Sequence, residues 1–318
     1  MTIFLSIILN SIIPIFILIS LGFILDKQFR LDLNTLSKIN FYLFVPAFSF
    51  VFIYKTDISA DLVRVLVLNF TLLAIMFLTG AFFAKILKLP KKTGKAFENA
   101  LMFYNSGNIG VSLMTLVFSN APFTENGTAP YLSMALAVQI MTLLVQNLST
   151  NTIGFINSGG EGMTLRTGVG RVVRMPTLYA VTCAILFKLF PFDFSATPVW
   201  PALENLRAGL VGVALITLGV QLSKTKIDVK NKLPYLAAFC RLLGGPAAAF
   251  LLIKLFGFDG VIARAVFISS STPAAVNTAL LSAEMNGDSD FAVQTVTVST
   301  LLSAVTMTTV VYLAYVIF

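Results

Sequence analysis

The sequence has no histidine, few charged residues and only two cysteines. Of its 318 residues, 22 are Lys or Arg and 14 are Asp or Glu, so 11% are charged. Without histidine, the chain lacks the commonest protein metal ligand and the side chain best suited to proton relay near neutral pH. Cys183 and Cys240 lie inside apolar runs, in a context that indicates neither a disulfide nor a metal site. We therefore expect no metal centre and no cofactor.

The shortage of charge also argues against a water-soluble fold. In soluble domains about a quarter of the residues are charged, whereas in this chain 11% are. The chain is 57% hydrophobic and has a mean hydropathy of +0.89. So little polar surface cannot cover a domain of this length in water. The sequence therefore predicts an all-α membrane protein whose surface partner is the lipid bilayer.

Apolar stretches of about 20 residues, long enough to cross a bilayer as helices, recur along the whole chain. We predict ten transmembrane helices in a single transporter domain over 1–318. Their expected ranges are 4–25, 35–54, 62–87, 97–118, 129–150, 168–190, 200–222, 232–256, 261–284 and 289–317. The fourth and the ninth are the weakest, because Asn, Gly, Ser, Thr or Pro interrupts each of them.

A polar segment at about 151–167 divides the predicted helices into two sets of five, repeat one at about 1–150 and repeat two at about 168–318. The interrupted helices occupy matching places, about 169 residues apart. An odd number of crossings in each half gives the two repeats opposite orientations in the membrane. Inverted repeats with discontinuous helices in corresponding positions indicate the binding site of a transporter.

The net charge of +8 is distributed as a topology signal rather than as a nucleic-acid surface. Counted with the flanking helix ends, the odd-numbered connections carry 15 Lys and Arg and the even-numbered ones carry 5. The positive-inside rule places the odd connections in the cytoplasm. We expect a multi-pass protein of the bacterial inner membrane with both termini outside the cytoplasm, and no nucleic-acid partner.

The fourth predicted helix contains the first candidate binding segment, with Asn105, Gly107, Asn108 and Gly110 close together. Irregular backbone at membrane depth occurs only where it is buried or lines a cavity. A break here would leave a half-helix beginning near Ile109, whose free N–H groups and positive dipole end suit a carboxylate. Close helix packing explains the glycines equally well, but it does not explain the two asparagines.

The ninth predicted helix contains the second candidate segment, with Thr272, Pro273 and Asn277. Pro273 has no N–H and disfavours helix at Thr272, so we expect a break just before it. Asn277 would then face the break from one turn inside the following half-helix. The alternative is an ordinary proline kink.

Two further features leave alternatives open. Gln139, Thr142 and Gln146 share one face of the fifth predicted helix, where they either contact substrate or hydrogen-bond the broken helices. Arg241 lies deep in the eighth, either as a counter-ion for an anion or as a structural cation bonded to carbonyl groups.

With these motifs the chain resembles the auxin efflux carrier family, which includes bacterial malate and malonate permeases. The resemblance covers essentially the full length and also rests on Pro46, Thr217, Gly219, Gln221, Ser299 and Thr300. It implies crossed discontinuous helices four and nine, a scaffold of helices one, two, six and seven, a mobile core with elevator-type alternating access, and a homodimer. Substrate would lie beside Asn105, Asn108, Pro273 and Asn277. Ser112 departs from the family pattern, which often has proline at that position.

We therefore expect a secondary transporter of small organic anions, held by half-helix ends and amides. The alternatives are a sodium-coupled symporter of the bile-acid carrier type and a non-transporting membrane sensor with a carrier fold. No acid pair, histidine–glutamate set or activated serine is arranged for catalysis, so we do not expect an enzyme.

Overall fold

The computed structural model describes residues 2–57, 59–158, 169–170, 172–190, 193–225 and 228–318. These residues are helical, with no β-strand and only isolated bridges between extended residues. Seven of the described helices are long and apolar enough to cross a membrane. They are α1 (Ile3–Phe29), α2 (Leu33–Lys55), α3 (Ala60–Ile86), α6 (Leu132–Ser158), α8 (Val199–Ser223), α9 (Leu233–Phe256) and α12 (Ser289–Ile317).

The described residues also form five shorter α-helices that pack with these seven. They are α4 (Lys91–Met102), α5 (Ser106–Phe118), α7 (Pro176–Lys188), α10 (Gly260–Ser270) and α11 (Val276–Glu284). The all-helical membrane class is confirmed, whereas ten crossings in two inverted repeats stay a prediction.

The helix boundaries follow local chemistry. Asp32 caps α2, because its carboxylate accepts hydrogen bonds from the N–H groups of Asn34 and Thr35. Pro176 stands at the start of α7, where a missing N–H costs no hydrogen bond. Gly257 ends α9 in the left-handed conformation (φ 68°), which glycine adopts without strain.

Several expected boundaries differ from the structure; the first helix ends at Phe29 rather than at 25, and the fourth begins at Lys91 rather than at 97. Two further differences concern the linker and the candidate binding segment. The helix expected to end at 150 continues to Ser158, so the first part of the expected linker is helical and the remainder, 159–167, lies outside the described residues. The half-helix expected near Ile109 begins earlier, at Ser106. It starts with a π-helical turn, Ser106–Gly110, in which the N–H of Gly110 bonds the carbonyl of Asn105 at 2.8 Å.

The helices pack as two groups. The first consists of α1, α2, α7 and α8, in which α8 packs on α1 and α2, and α7 packs on α2. The second consists of α3 to α6 and α9 to α12. Glycine brings α1 and α8 close: a Cβ on Gly219 would overlap the carbonyl oxygen of Ile19 and lie 2.8 Å from the nitrogen of Phe23. Such small-residue contacts are a common way for helices to associate in membranes.

Candidate functional site

Two interrupted segments meet in the second helix group. The chain leaves α4 at Met102 and enters α5 at Ser106, and it leaves α10 at Ser270 and enters α11 at Val276. The extended residues between them pair with each other: the N–H of Asn105 donates to the carbonyl of Pro273 at 2.8 Å, and the N–H of Ala275 donates to that of Phe103 at 2.9 Å. Backbone groups released by each break therefore find partners in the other.

The end of α10 has a clear sequence cause. Pro273 offers no N–H to continue the helix. The hydroxyl groups of Ser270, Ser271 and Thr272 donate back to carbonyls three residues earlier, at 2.6–2.8 Å. These local bonds compete with helix propagation, so the hydroxyl run and the proline together stop the helix.

Arg241 of α9 is buried against this pairing and bonds to carbonyl groups. Its Nη1 donates to Leu101 at 3.0 Å, its Nε donates to Thr272 at 3.4 Å, and its Nη2 donates to Ser270. Its guanidinium lies over the ring of Tyr104 at 4.5 Å. The structural alternative for Arg241 therefore holds in this structure, since its donors are engaged by the C-terminal ends of α4 and α10.

The opposite ends of the breaks are the N-termini of α5 and α11, and they border a cavity of about 360 Å³. The N–H groups of Gly107, Val276 and Asn277 have no hydrogen-bond partner among the described residues. Unpaired N–H groups and the positive end of the helix dipole favour an anion.

The cavity lies between the two helix groups. Its polar lining comes from α2, α5, α6, α8 and α11 and comprises Ser37, Lys38, Asn40, Asn105, Ser106, Asn108, Gln146, Asn147, Thr150, Asn151, Thr217, Gln221, Asn277 and Glu284. Three π-helical turns contribute to it, at Asn40–Phe44, Ser106–Gly110 and Thr150–Gly154. Such turns are frequent at functional sites, because they shift side chains from the regular helical face.

Four of the expected binding residues line the cavity, namely Asn105, Gly107, Asn108 and Asn277. The other four lie behind them. Thr272 and Pro273 are buried within the paired segments. Gln139 is fully buried and its Nε2 donates to the carbonyl of Ser106 at 2.7 Å, and a Cβ on Gly110 would overlap that amide.

The amide of Asn105 has a defined orientation. Its Oδ1 accepts the N–H of Asn108 at 3.2 Å, so its Nδ2 must point the other way. That Nδ2 is buried and has no partner among the described residues. A buried donor without an acceptor is costly, and a substrate oxygen would satisfy it.

Sequence reasoning missed Asn40. Its Nδ2 donates to the Oδ1 of Asn108 at 2.9 Å and so joins α2 of the first group to α5 of the second. The signal was present, because an asparagine inside an apolar run is costly in a bilayer unless it has a partner. No break follows Asn40 closely, so the pattern gave no reason to connect it with Asn108.

Two comparisons with known proteins bear on what the chain does. Residues 7–168 and 163–311 match a family described as membrane transport protein. A relative from Methanothermobacter thermautotrophicus, described as an uncharacterized transporter, is 25% identical over 319 residues, which cover 94% of this chain and 95% of the relative.

Proposed function

The chain belongs to the auxin efflux carrier family of membrane transport proteins, and we propose that it is a secondary transporter of small organic anions of the carboxylate type. One observation carries the proposal. Two helix N-termini border the same cavity as Nδ2 of Asn105, and neither this Nδ2 nor the N–H groups of Gly107, Val276 and Asn277 have a partner among the described residues. Broken helices of transporters bind anionic substrate groups in this manner.

The packing supports ten crossings in two inverted repeats. We count α4 with α5, and α10 with α11, as one broken crossing each. Exchanging the first five crossings with the last five then maps each of the largest helix contacts onto another contact or onto itself. The contact of α1 with α8 becomes that of α7 with α2, and the contact of α6 with α10 becomes that of α12 with α4. The contact of α3 with α9 maps onto itself. Two equivalent halves of five crossings each must run in opposite directions.

The location of the cavity supports elevator-type alternating access. The anion-binding ends belong to the second helix group, whereas Asn40, Thr217 and Gln221 on the opposite wall belong to the first. Movement of the second group along the first would carry a bound anion across the membrane, and the bond between Asn40 and Asn108 would have to break on the way. We further propose that the protein is a homodimer and that it resides in the bacterial inner membrane.

The lining also indicates which side the cavity faces. It includes Lys38 near the start of α2, Asn151 near the end of α6, Gln221 near the end of α8 and Glu284 at the end of α11. By the distribution of Lys and Arg, all four of these helix ends are cytoplasmic. In our proposal the structure therefore represents an inward-facing state, with both termini outside.

The test is flux of labelled malate, malonate and an indole carboxylate into proteoliposomes. We expect saturable flux that is lost in Asn108→Ala and Asn277→Ala. Asn34→Ala is a matched control, because its side chain is exposed outside the cavity. Absence of flux for all three anions, or flux that both cavity variants retain, would refute the carboxylate assignment.

A further inference from the structure

The side chain of Arg241 carries a full charge into the protein interior, and no carboxylate of the described residues forms an ion pair with it. Its exposed fraction is 0%. Among the described residues, the partners of its guanidinium are the carbonyls of Leu101, Ser270 and Thr272 and the ring of Tyr104. The guanidinium is surrounded by backbone carbonyls, as a bound metal ion is, and not by the carboxylate partner of a salt bridge.

The carbonyls come from both broken crossings. Leu101 lies in the last turn of α4, Ser270 is the last residue of α10, and Thr272 lies in the turn that follows α10. The C-terminal end of a helix carries a partial negative charge. In transporters with discontinuous helices, half-helix C-terminal ends and unwound carbonyls are the groups that coordinate a coupling sodium ion or proton.

The sequence leaves room for the guanidinium on its own helix. A Cβ on Gly245, one turn beyond Arg241, would lie 2.8 Å from the Cζ of Arg241 and 2.8 Å from the carbonyl oxygen of Ser270. A Cβ on the neighbouring Gly244 would meet only the end of the Met76 side chain, at 3.8 Å. Of these two adjacent glycines, Gly245 alone is required by the position of the arginine.

We infer that the Arg241 guanidinium occupies the place of a coupling cation, so that this carrier moves its anion without sodium. A covalently held charge satisfies the two negative helix ends in every step of the cycle and never dissociates. The net charge that crosses the membrane is then that of the anion, and for a monovalent anion 100 mV corresponds to a gradient of about 50-fold. This inference rests on the proposed transport function and removes the sodium symporter as its alternative.

The first test measures anion flux in proteoliposomes at a fixed membrane potential, with external sodium replaced by N-methylglucamine. We expect the initial rate to stay unchanged and to follow the imposed potential. A rate that depends on sodium would overturn the inference while leaving the transport proposal intact. Absence of any flux would refute the transport proposal, and the next test would still decide the role of Arg241.

The second test measures the melting temperature of the detergent-purified Arg241→Ala protein. Removing the cation leaves carbonyls buried without partners, and we expect melting about 10 °C below the wild type. Millimolar guanidinium, a free copy of the lost group, should restore much of this difference. Arg207→Ala is the control, because Arg207 also stacks on an aromatic ring, Phe52, but pairs with Glu204.

Guanidinium should leave the control variant and the wild type unaffected. If Arg241→Ala melts like the wild type, or if guanidinium does not raise its melting temperature more than that of Arg207→Ala, the inference is wrong. If Arg241→Ala cannot be purified, Gly245→Ala and Gly244→Ala take its place. We expect a lower melting temperature only for Gly245→Ala. Equal melting temperatures for Gly245→Ala and Gly244→Ala would also show that the inference is wrong.

Discussion

Gly110 and Gly107 lie in the same π-helical turn, yet the structure predicts opposite tolerance to alanine. A Cβ on Gly110 would overlap Nε2 of Gln139, lie 3.3 Å from its Cδ and lie 3.4 Å from the carbonyl oxygen of Asn105. Gln139 is fully buried and has its donor on the carbonyl of Ser106. A Cβ on Gly107 would make only an ordinary contact of 3.5 Å with Cδ1 of Leu143.

The magnitude follows from the displaced amide. Leaving a buried polar group unsatisfied costs about 1–3 kcal/mol, and Gly110→Ala leaves two, the amide of Gln139 and the carbonyl of Ser106. Alanine regains about 1 kcal/mol of helix propensity over glycine. The net loss is therefore about 3 kcal/mol, which corresponds to a melting temperature lower by about 6–12 °C at the scale known for domains of 150–250 residues.

The assay is the thermal unfolding of the purified variants, with anion flux as a second readout. Gly107→Ala should melt about 2–4 °C above the wild type, since it gains about 1 kcal/mol of helix propensity without overlap. Gly110→Ala should also transport poorly, because the displaced amide supports the turn that lines the cavity. About 1.4 kcal/mol of lost binding energy would weaken apparent substrate affinity about ten-fold.

A double variant gives the refuting result. If the overlap with Gln139 is the cause, adding Gly110→Ala to Gln139→Ala should lower the melting temperature little further, because the amide that the Cβ would displace is already absent. Strictly additive losses would show that Gly110 acts through another contact. Equal melting temperatures for Gly110→Ala and Gly107→Ala would refute the steric argument itself.

Two further predictions concern the first helix group and its link to the second. Gly219→Ala should lower the melting temperature, because its Cβ would overlap the backbone of Ile19. Gly212→Ala on the same helix should not lower it, because a Cβ there meets no atom within 4 Å. Equal melting temperatures for the two variants would contradict the prediction. Asn40→Ala removes a hydrogen bond to Asn108 worth about 0.5–1.5 kcal/mol. We expect a change of apparent substrate affinity in flux assays, with no effect if the bond is unimportant for transport.

Much of the helical framework could be predicted from the sequence. The expected ranges 200–222 and 289–317 correspond to Val199–Ser223 and Ser289–Ile317. This succeeded because a helix satisfies its own backbone and needs only enough apolar length to cross a bilayer. The expected end at 150 was too early, because Asn147 and Asn151 look like the start of a loop, whereas in the structure both line the cavity from within α6.

The candidate site was predicted only in part. Asn105, Asn108 and Asn277 were recognisable because amides inside apolar runs are costly in a membrane unless they have hydrogen-bond partners. The partner of Asn108 was not, because Asn40 lies 68 residues away on another helix. The sequence likewise could not separate Gly107 from Gly110, whose difference depends on Leu143 and Gln139 of a neighbouring helix.

The sequence by itself determined that the chain is a helical membrane protein with two interrupted apolar segments, because hydropathy and helix breaking are local properties of the chain. Only the tertiary structure decided the role of Arg241. Its partner Leu101 is 140 residues away, and Ser270 is 29 residues away. Whether a buried charge binds substrate or satisfies helix ends depends on which dipoles surround it, and that surrounding exists only once the two broken segments have met.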